Sequence, residues 1–491
     1  MKNWALRATR ATGIAIIAEI FARSANTIFF ILLTWSLGEE EASIYALGFV
    51  YSSFLIYLSL GGLEQLLSRE VGRNKAQGNV FLGNFLFARI ISSIFCYTGL
   101  ALWIVKFSGY EPDVSRAVLI IGATLIPESL TSLFQSYLIA HDRVGYIAIL
   151  GAITGGLKLG VGALLLTLGG DAAVAAWVVL SVSTLATFLY TALIGLRFGW
   201  PKLFFERTFW ITQARAEWPL FLVAIMMTIE GSLDTLLLAQ SGNIMAVGVY
   251  AAAANMMNVL LLMPQAYRQI LLPIMAEWYG VMREHAFHIY IQSQRFLCII
   301  ALPIGLSVAL IADQLLPLLY KNQHLEAISV LQVLVWSFVF AMLLLPNGRL
   351  MLIAGHQNAT APIQLYSTML NAGLNLLCQP FLGAVGAALA RVASTGLTFV
   401  LCLRYVQRHI YSWNIWSVFR GPLGAGLALF VVTVALRWLG VFWVLALFSG
   451  WITYGVFLFI LGGISSTELR GGVTLMRRGT AQLHLLVKEI L

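Results

Sequence analysis

Residues 146–195 read YIAILGAITGGLKLGVGALLLTLGGDAAVAAWVVLSVSTLATFLYTALIG. Two apolar runs, 146–168 and 173–195, flank a joint of Leu168-Gly169-Gly170-Asp171. Each run meets the ~20 apolar residues that a membrane-spanning helix requires. Neither alternates with a period of two, so lipid-facing strands of a barrel are excluded. The Gly-Gly-Asp joint suits a tight turn between two spanning helices. A single base, Lys158, interrupts the first run near its middle. That pair of features, a helical hairpin in lipid and a lone charge inside it, sets the reading of the whole chain.

Working outward, the same pattern repeats. Apolar segments fall near 12–34, 43–63, 84–106, 117–140, 146–168, 173–195, 217–239, 247–273, 295–312, 328–353, 362–382, 384–403, 420–439 and 442–463. The expectation is an all-α polytopic membrane protein with about fourteen transmembrane helices. The composition agrees: of 491 residues, 60% are hydrophobic and 10% charged. Soluble domains carry about 25% charged residues, so a soluble enzyme, a nucleic-acid module and a disordered chain are excluded. The N-terminal run after Lys2, Arg7 and Arg10 exceeds a signal-peptide core and shows no clean cleavage site, so it is expected to be a retained first helix.

The net charge of +9 is a topology signal. With the N-terminus inside, twenty-two of the thirty Lys and Arg residues fall on the cytoplasmic side. The outer loops hold only Lys106, Arg116, Lys321 and Arg437. Both termini are therefore expected in the cytoplasm. Cys96, Cys298, Cys378 and Cys402 lie apart in apolar stretches and read as buried thiols. His285 and His288 share one polar loop, but no ligand set for a metal is recognisable. No cofactor is expected.

A weak repeat runs through the chain. Leu138-Ile139-Ala140-His141 returns as Leu352-Ile353-Ala354-Gly355-His356, and Ile44-Tyr45-Ala46 as Val249-Tyr250-Ala251. Helices 1–6 thereby pair with helices 7–12, and an even number of helices per repeat makes the repeats parallel. The expected organisation is an N-lobe at 1–196, a cytoplasmic linker at 197–216, a C-lobe at 217–404, and two further helices with a tail at 405–491.

Eight ionisable residues sit at membrane depth: Glu19, Arg23, Arg89, Glu128, Lys158, Glu230, Asp234 and Arg391. Each costs ~2.5–3.5 kcal/mol to insert, so each must face protein or water. Arg23, Arg89, Lys158 and Arg391 are candidates for a cationic cavity that neutralises phosphate. Glu230 and Asp234 stand one helical turn apart, where like charges repel unless a cation is near. They, Glu128 beside Pro127, and Glu19 one turn before Arg23 are candidates for coupling to H⁺ or Na⁺. Structural ion pairing is the competing reading for every one of the eight.

The chain resembles the Wzx-type polysaccharide flippases of the multidrug/oligosaccharidyl-lipid/polysaccharide (MOP, MATE-like) exporter superfamily. The resemblance rests on Tyr45-Ala46-Leu47-Gly48 and Gly61-Gly62-Leu63-Glu64-Gln65. It continues through Asp234, Val247-Gly248-Val249-Tyr250-Ala251, Pro264, Asn371, Asn375 and Gly383-Ala384-Val385-Gly386. It implies two six-helix lobes, a V-shaped cavity and alternating access. It also implies flipping of a polyprenyl-diphosphate-linked glycan, such as an O-antigen or other lipopolysaccharide repeat unit, across the bacterial inner membrane. Ion coupling, contact with membrane lipid and association with polysaccharide assembly proteins follow from the same resemblance, as does a cationic cavity matched by Arg23. A multidrug or cation antiporter of the same fold is the alternative. A polysaccharide polymerase or ligase is a weaker one, because the outer loops are short and carry no catalytic set; no enzyme is expected.

Overall fold

A computed structural model describes residues 24–59, 62–201, 203–211 and 230–462. The elements are α1 (Ser24–Leu37), α2 (Glu39–Leu58), α3 (Leu63–Arg73), α4 (Gly78–Lys106), α5 (Pro112–Gly122), α6 (Leu125–Ala140), α7 (Val144–Thr167) and α8 (Ala172–Phe198). After them come α9 (residues 230–240), α10 (Ile244–Leu260), α11 (Leu262–Val281), α12 (Arg283–Tyr320), α13 (Ala327–Ile353), α14 (Thr360–His409), α15 (Ile415–Trp438) and α16 (Trp443–Ile460). No strand occurs among the described residues. The chain is an all-α, multi-pass membrane protein. Among the described residues, ten helical stretches are long and apolar enough to cross a membrane, and two of them, Pro112–Ala140 and Ile244–Pro264, run across the α5–α6 and α10–α11 breaks.

Four departures from the fourteen-segment reading have physical causes. Segment 117–140 is two helices, α5 and α6, with the break at residues 123–124 and Pro127 in the first turn of α6. Segment 247–273 breaks at Leu261 between α10 and α11. Segments 362–382 and 384–403 run on as α14, whose 50 residues would extend about 75 Å if straight. Gly383 interrupts it at φ 53°, ψ −129°, a conformation that only glycine adopts without strain. A fourth element, α3, was not read as a helix. Its buried Leu63, Leu66, Leu67 and Val71 follow helical spacing on one face, and its other face is polar.

The helix ends at the turns are capped locally. Asp171 accepts the Val174 N–H to start α8, and Asn243 accepts the Ala246 N–H to start α10. Glu39, Glu40 and Glu41 occupy the first turn of α2, where the helix dipole favours negative charge. Glu41 also accepts the Ala172 N–H, at 3.0 Å.

Two compact units share the chain. The first comprises the described residues of Met1–Ile270, Ala312–Phe338 and His356–Leu401. One of its cores joins α3, α4, α6 and α8 around Leu67, Leu82, Phe85, Leu133 and Tyr190. From the stretch read as a linker, Phe209 packs edge-on against Phe81 and Phe85, and Trp210 lies tilted against Phe85. Elsewhere in this unit α2 lies directly against α10. A Cβ on Gly248 would stand 1.8 Å from the Ser43 hydroxyl, so only glycine permits this approach.

The second unit comprises the described residues of Leu271–Ile311, Val339–Gly355 and Cys402–Leu491. Here α15 and α16 form a close pair. Their buried Ala425, Leu429, Tyr454 and Leu458 pack on Ile299, Leu306 and Leu310 of α12. The Tyr454 hydroxyl donates to the Ile299 carbonyl at 2.8 Å. In lipid, such fit and hydrogen bonding replace the hydrophobic effect as the source of helix association.

Candidate functional site

All the described candidate residues lie in the first unit. The densest polar cluster joins α9, α10 and α14. Asp234 is fully buried, and four donors converge on its carboxylate. Asn371 and Asn375 each donate to Oδ1 at 3.0 Å. Tyr250 donates to Oδ2 at 3.0 Å, and the Arg391 Nε donates to the same oxygen at 2.6 Å. The Arg391 guanidinium also donates to the Gly231 carbonyl, and Gln379 donates to the Asp234 carbonyl. A charge-assisted pair of this kind is about twice as strong as a neutral hydrogen bond.

Glu230, one turn earlier on α9, has a different environment. Ser367 donates to it at 2.7 Å, with the Thr368 hydroxyl at 3.4 Å, and Thr398 in turn donates to Ser367. No cation lies within ion-pair distance of Glu230 among the described residues. It is a buried carboxylate held by hydroxyls, beside one neutralised by a guanidinium.

Lys158 lies about 21 Å along α7 from its start by helical rise. Its buried ammonium donates to the Asn26 amide oxygen at 2.8 Å and to the Tyr45 hydroxyl at 3.3 Å. The Phe29 ring face lies 4.7 Å away, adding a cation–π contact. Glu128 accepts from Ser183 at 3.0 Å. Glu128 on α6 and Lys158 on α7 are near enough for their charges to attract, without an ion-pair contact.

Arg89 is buried completely and fully engaged. It meets Glu64 of α3 at 2.5 Å and donates to the carbonyls of Ser59 and Ser129. Ser132 donates to the same Glu64 oxygen. This set ties the end of α2 and the start of α3 to α4 and α6.

The opposite end of the unit is drawn together. Trp35 donates to the Leu319 carbonyl at 2.6 Å, Lys321 sits over the Trp35 ring, and Tyr110 donates to the Ala239 carbonyl. His324 is buried, stacked on Phe30, with its Nδ1 3.2 Å from Glu39. Burial lowers the His324 pKa, and the Glu39 carboxylate opposes that shift. Lys321, Asn322 and His324 all have positive φ, which is uncommon for side-chain-bearing residues. Beside this closure is a pocket of about 780 Å³ lined by Glu40, Glu111, Tyr110, Ser241 and Asn243.

Of the eight intramembrane charges, Glu19 and Arg23 lie outside the described residues. Arg391 and Asp234 are brought into contact, Lys158 and Glu128 are near neighbours, and Arg89 belongs to a separate cluster. Sequence reasoning did not single out Asn26, His324 or the hydroxyls around Glu230, and it read Tyr45 and Glu64 as marks of the family resemblance, not as partners of Lys158 and Arg89. One signal was available: Ser367, Asn371, Asn375 and Gln379 recur every fourth residue in an apolar segment, placing four polar side chains on one helical stripe.

The pattern of one protein family, described as polysaccharide biosynthesis protein, matches residues 8–278. Among solved structures, the chain is similar to the lipid II flippase MurJ in an inward closed conformation. The TM-score is 0.75 at 14% identity, covering 91% of this chain and 98% of that one. It is also similar to an inward-facing multidrug resistance MATE family transporter of the MOP superfamily. There the TM-score is 0.63 at 13% identity, with 80% and 97% covered. A MOP superfamily transporter from Pyrococcus furiosus gives 0.56 at 13% identity, with 81% and 95% covered. No curated protein sequence matches at the same stringency.

Proposed function

This chain belongs to the polysaccharide biosynthesis protein family, and on that premise we propose that it flips polyprenyl-diphosphate-linked oligosaccharide across the bacterial inner membrane by alternating access. The two lobes, 1–196 and 217–404, form the moving halves. The diphosphate-sugar head group enters from the cytoplasmic side while the outer ends are closed, and the polyprenyl chain stays in lipid.

One observation carries the reading. Lys158 is a buried ammonium at mid-helix whose contacts, Asn26, Tyr45 and Phe29, are all neutral. Unlike Arg89 and Arg391, it has no carboxylate within ion-pair distance among the described residues. A phosphate gives this amine the contact counter-charge that Glu128, out of ion-pair reach, does not, and Arg23, which lies outside the described residues, is the sequence's candidate for a second base. Arg89 and Arg391 hold helices together. Coupling falls to a proton or cation at Glu230 or Glu128, because Asp234 already has its cation. A cationic drug as cargo is disfavoured by the same amine.

The test is flipping of a fluorescent polyprenyl-diphosphate oligosaccharide in proteoliposomes. Loss of one charge-assisted contact costs ~1.5–3 kcal/mol. Lys158→Met should therefore slow flipping by roughly ten- to hundredfold at unchanged thermal stability, with Lys158→Arg partly active. Flipping by Lys158→Met at the wild-type rate overturns the proposal.

A further inference from the structure

We propose that a groove between α4, α5 and α8, remote from Lys158, binds one anionic phospholipid of the outer leaflet, with its phosphate at Arg116. The groove encloses about 430 Å³. It is lined along α5 by Pro112, Ser115, Arg116, Leu119 and Ile120. These residues follow three- and four-residue spacing and so form one face of the helix. Tyr97 of α4 and Trp177 of α8 line its sides.

The chemistry of the lining changes with depth. By helical rise, Arg116 lies about 6 Å from the start of α5, and Trp177 about 8 Å from the start of α8. That is the head-group level, where tryptophan and tyrosine concentrate. Leu119 and Ile120, about 11–12 Å in, and Leu180 at a matching depth on α8 are apolar and suit the upper part of an acyl chain. Trp177 is half exposed, so the groove opens sideways toward lipid.

Charge selects the occupant. Arg116 is exposed and has no carboxylate within ion-pair distance among the described residues, although Asp113 precedes it by one turn. It is the one base among the lining residues, and none of them is acidic. One guanidinium matches a single phosphate monoester or diester, and the Ser115 hydroxyl beside it, held only by a 3.4 Å bond to the Tyr110 carbonyl, can turn to the same phosphate. A diphosphate would need further positive charge. The outer-leaflet placement follows from the Lys and Arg distribution, which leaves Arg116 among four bases on that side.

The experiment is native mass spectrometry of the full chain with phosphatidylglycerol or phosphatidylcholine, and a polyprenyl diphosphate as competitor. Wild type should retain one phosphatidylglycerol over phosphatidylcholine by roughly tenfold, the value of one charge-assisted contact. Arg116→Ala should remove that preference, while Lys106→Ala, a base at the end of α4, should keep it. Ile120→Trp, which fills the apolar part, should release the lipid with Arg116 intact. Equal retention of both lipids by wild type, or an unchanged preference in Arg116→Ala, overturns the proposal. Displacement by polyprenyl diphosphate in an Arg116-dependent manner also overturns it, because the groove would then belong to the flipped lipid.

Discussion

Replacing Asp234 with Asn tests whether the α9–α10–α14 cluster is a structural lock or a site for a transported ion. The wild-type carboxylate accepts from Asn371 and Asn375 on one oxygen, and from Tyr250 and Arg391 on the other. An asparagine has one accepting oxygen and an amide that donates. Whichever way it turns, two of the four donors lose their acceptor and meet another donor. The Arg391 charge also loses its partner, and breaking a buried pair from one side costs ~3–5 kcal/mol. The burial is uneven, with the carboxylate 1% and the arginine side chain 21% exposed, so stranding the carboxylate costs more than stranding the guanidinium. Detergent-titrated unfolding, followed by tryptophan fluorescence, should show a loss of about 3 kcal/mol or more for Asp234→Asn. Arg391→Met, which strands the fully buried carboxylate, should lose at least as much. The double variant removes both charges, and should cost at least about 2 kcal/mol less than the sum of the singles. A loss under ~1 kcal/mol for Asp234→Asn, or additivity within ~0.5 kcal/mol, would refute the lock.

Three further outcomes are expected. Glu230→Gln keeps an acceptor for Ser367, so it should leave stability within about 1 kcal/mol while abolishing the proposed dependence of flipping on a proton or Na⁺ gradient; a dependence that survives removes Glu230 from coupling. Gly248→Ala brings a methyl group into the Ser43 side chain, so it should loosen the α2–α10 contact, and Ser43→Gly should restore part of it. Distances between spin labels at Glu40→Cys and Met245→Cys would show this, and an unchanged distance in Gly248→Ala refutes the close-packing argument. A label pair at Glu40→Cys and Leu325→Cys reads the His324 contact with Glu39. Burial holds the His324 pKa below its ordinary 6.5, so protons favour a state in which this ring meets water. The contact is at full strength above pH 6.5 and weakens as pH falls below it, and His324→Phe should remove that dependence; a pH response retained in His324→Phe assigns it to another group.

Most of the fold was legible because a bilayer leaves few choices. A run of apolar residues in lipid satisfies its backbone as a helix, so 146–168 and 173–195 could be read without knowing their neighbours. Helix breaks were less legible. Gly383 and Leu261 both interrupt apolar runs, and apolarity alone does not distinguish a turn buried in protein from continuing helix. The small helix α3 was hidden for the opposite reason. Its polar face reads as a loop, and its apolar face has meaning only once α4 and α6 are there to cover it.

The candidate site was legible as a set of charges but not as a set of partners. Sequence spacing placed Glu230 and Asp234 on one helical face and made them look equivalent. Tertiary contact separates them: Asp234 receives a guanidinium from a helix more than 150 positions away, and Glu230 receives only hydroxyls. The same separation applies to the bases. Arg89 and Arg391 each close on a carboxylate, whereas Lys158 is held by an amide, a phenol and a ring face. A buried charge balanced inside the protein does little for a passing substrate, because its field is already spent on its partner. The charge without an ion-pair partner still has its counter-charge to find. For that reason the flipping reading depends on Lys158 more than on the two arginines, and on Glu230 and Glu128 more than on Asp234.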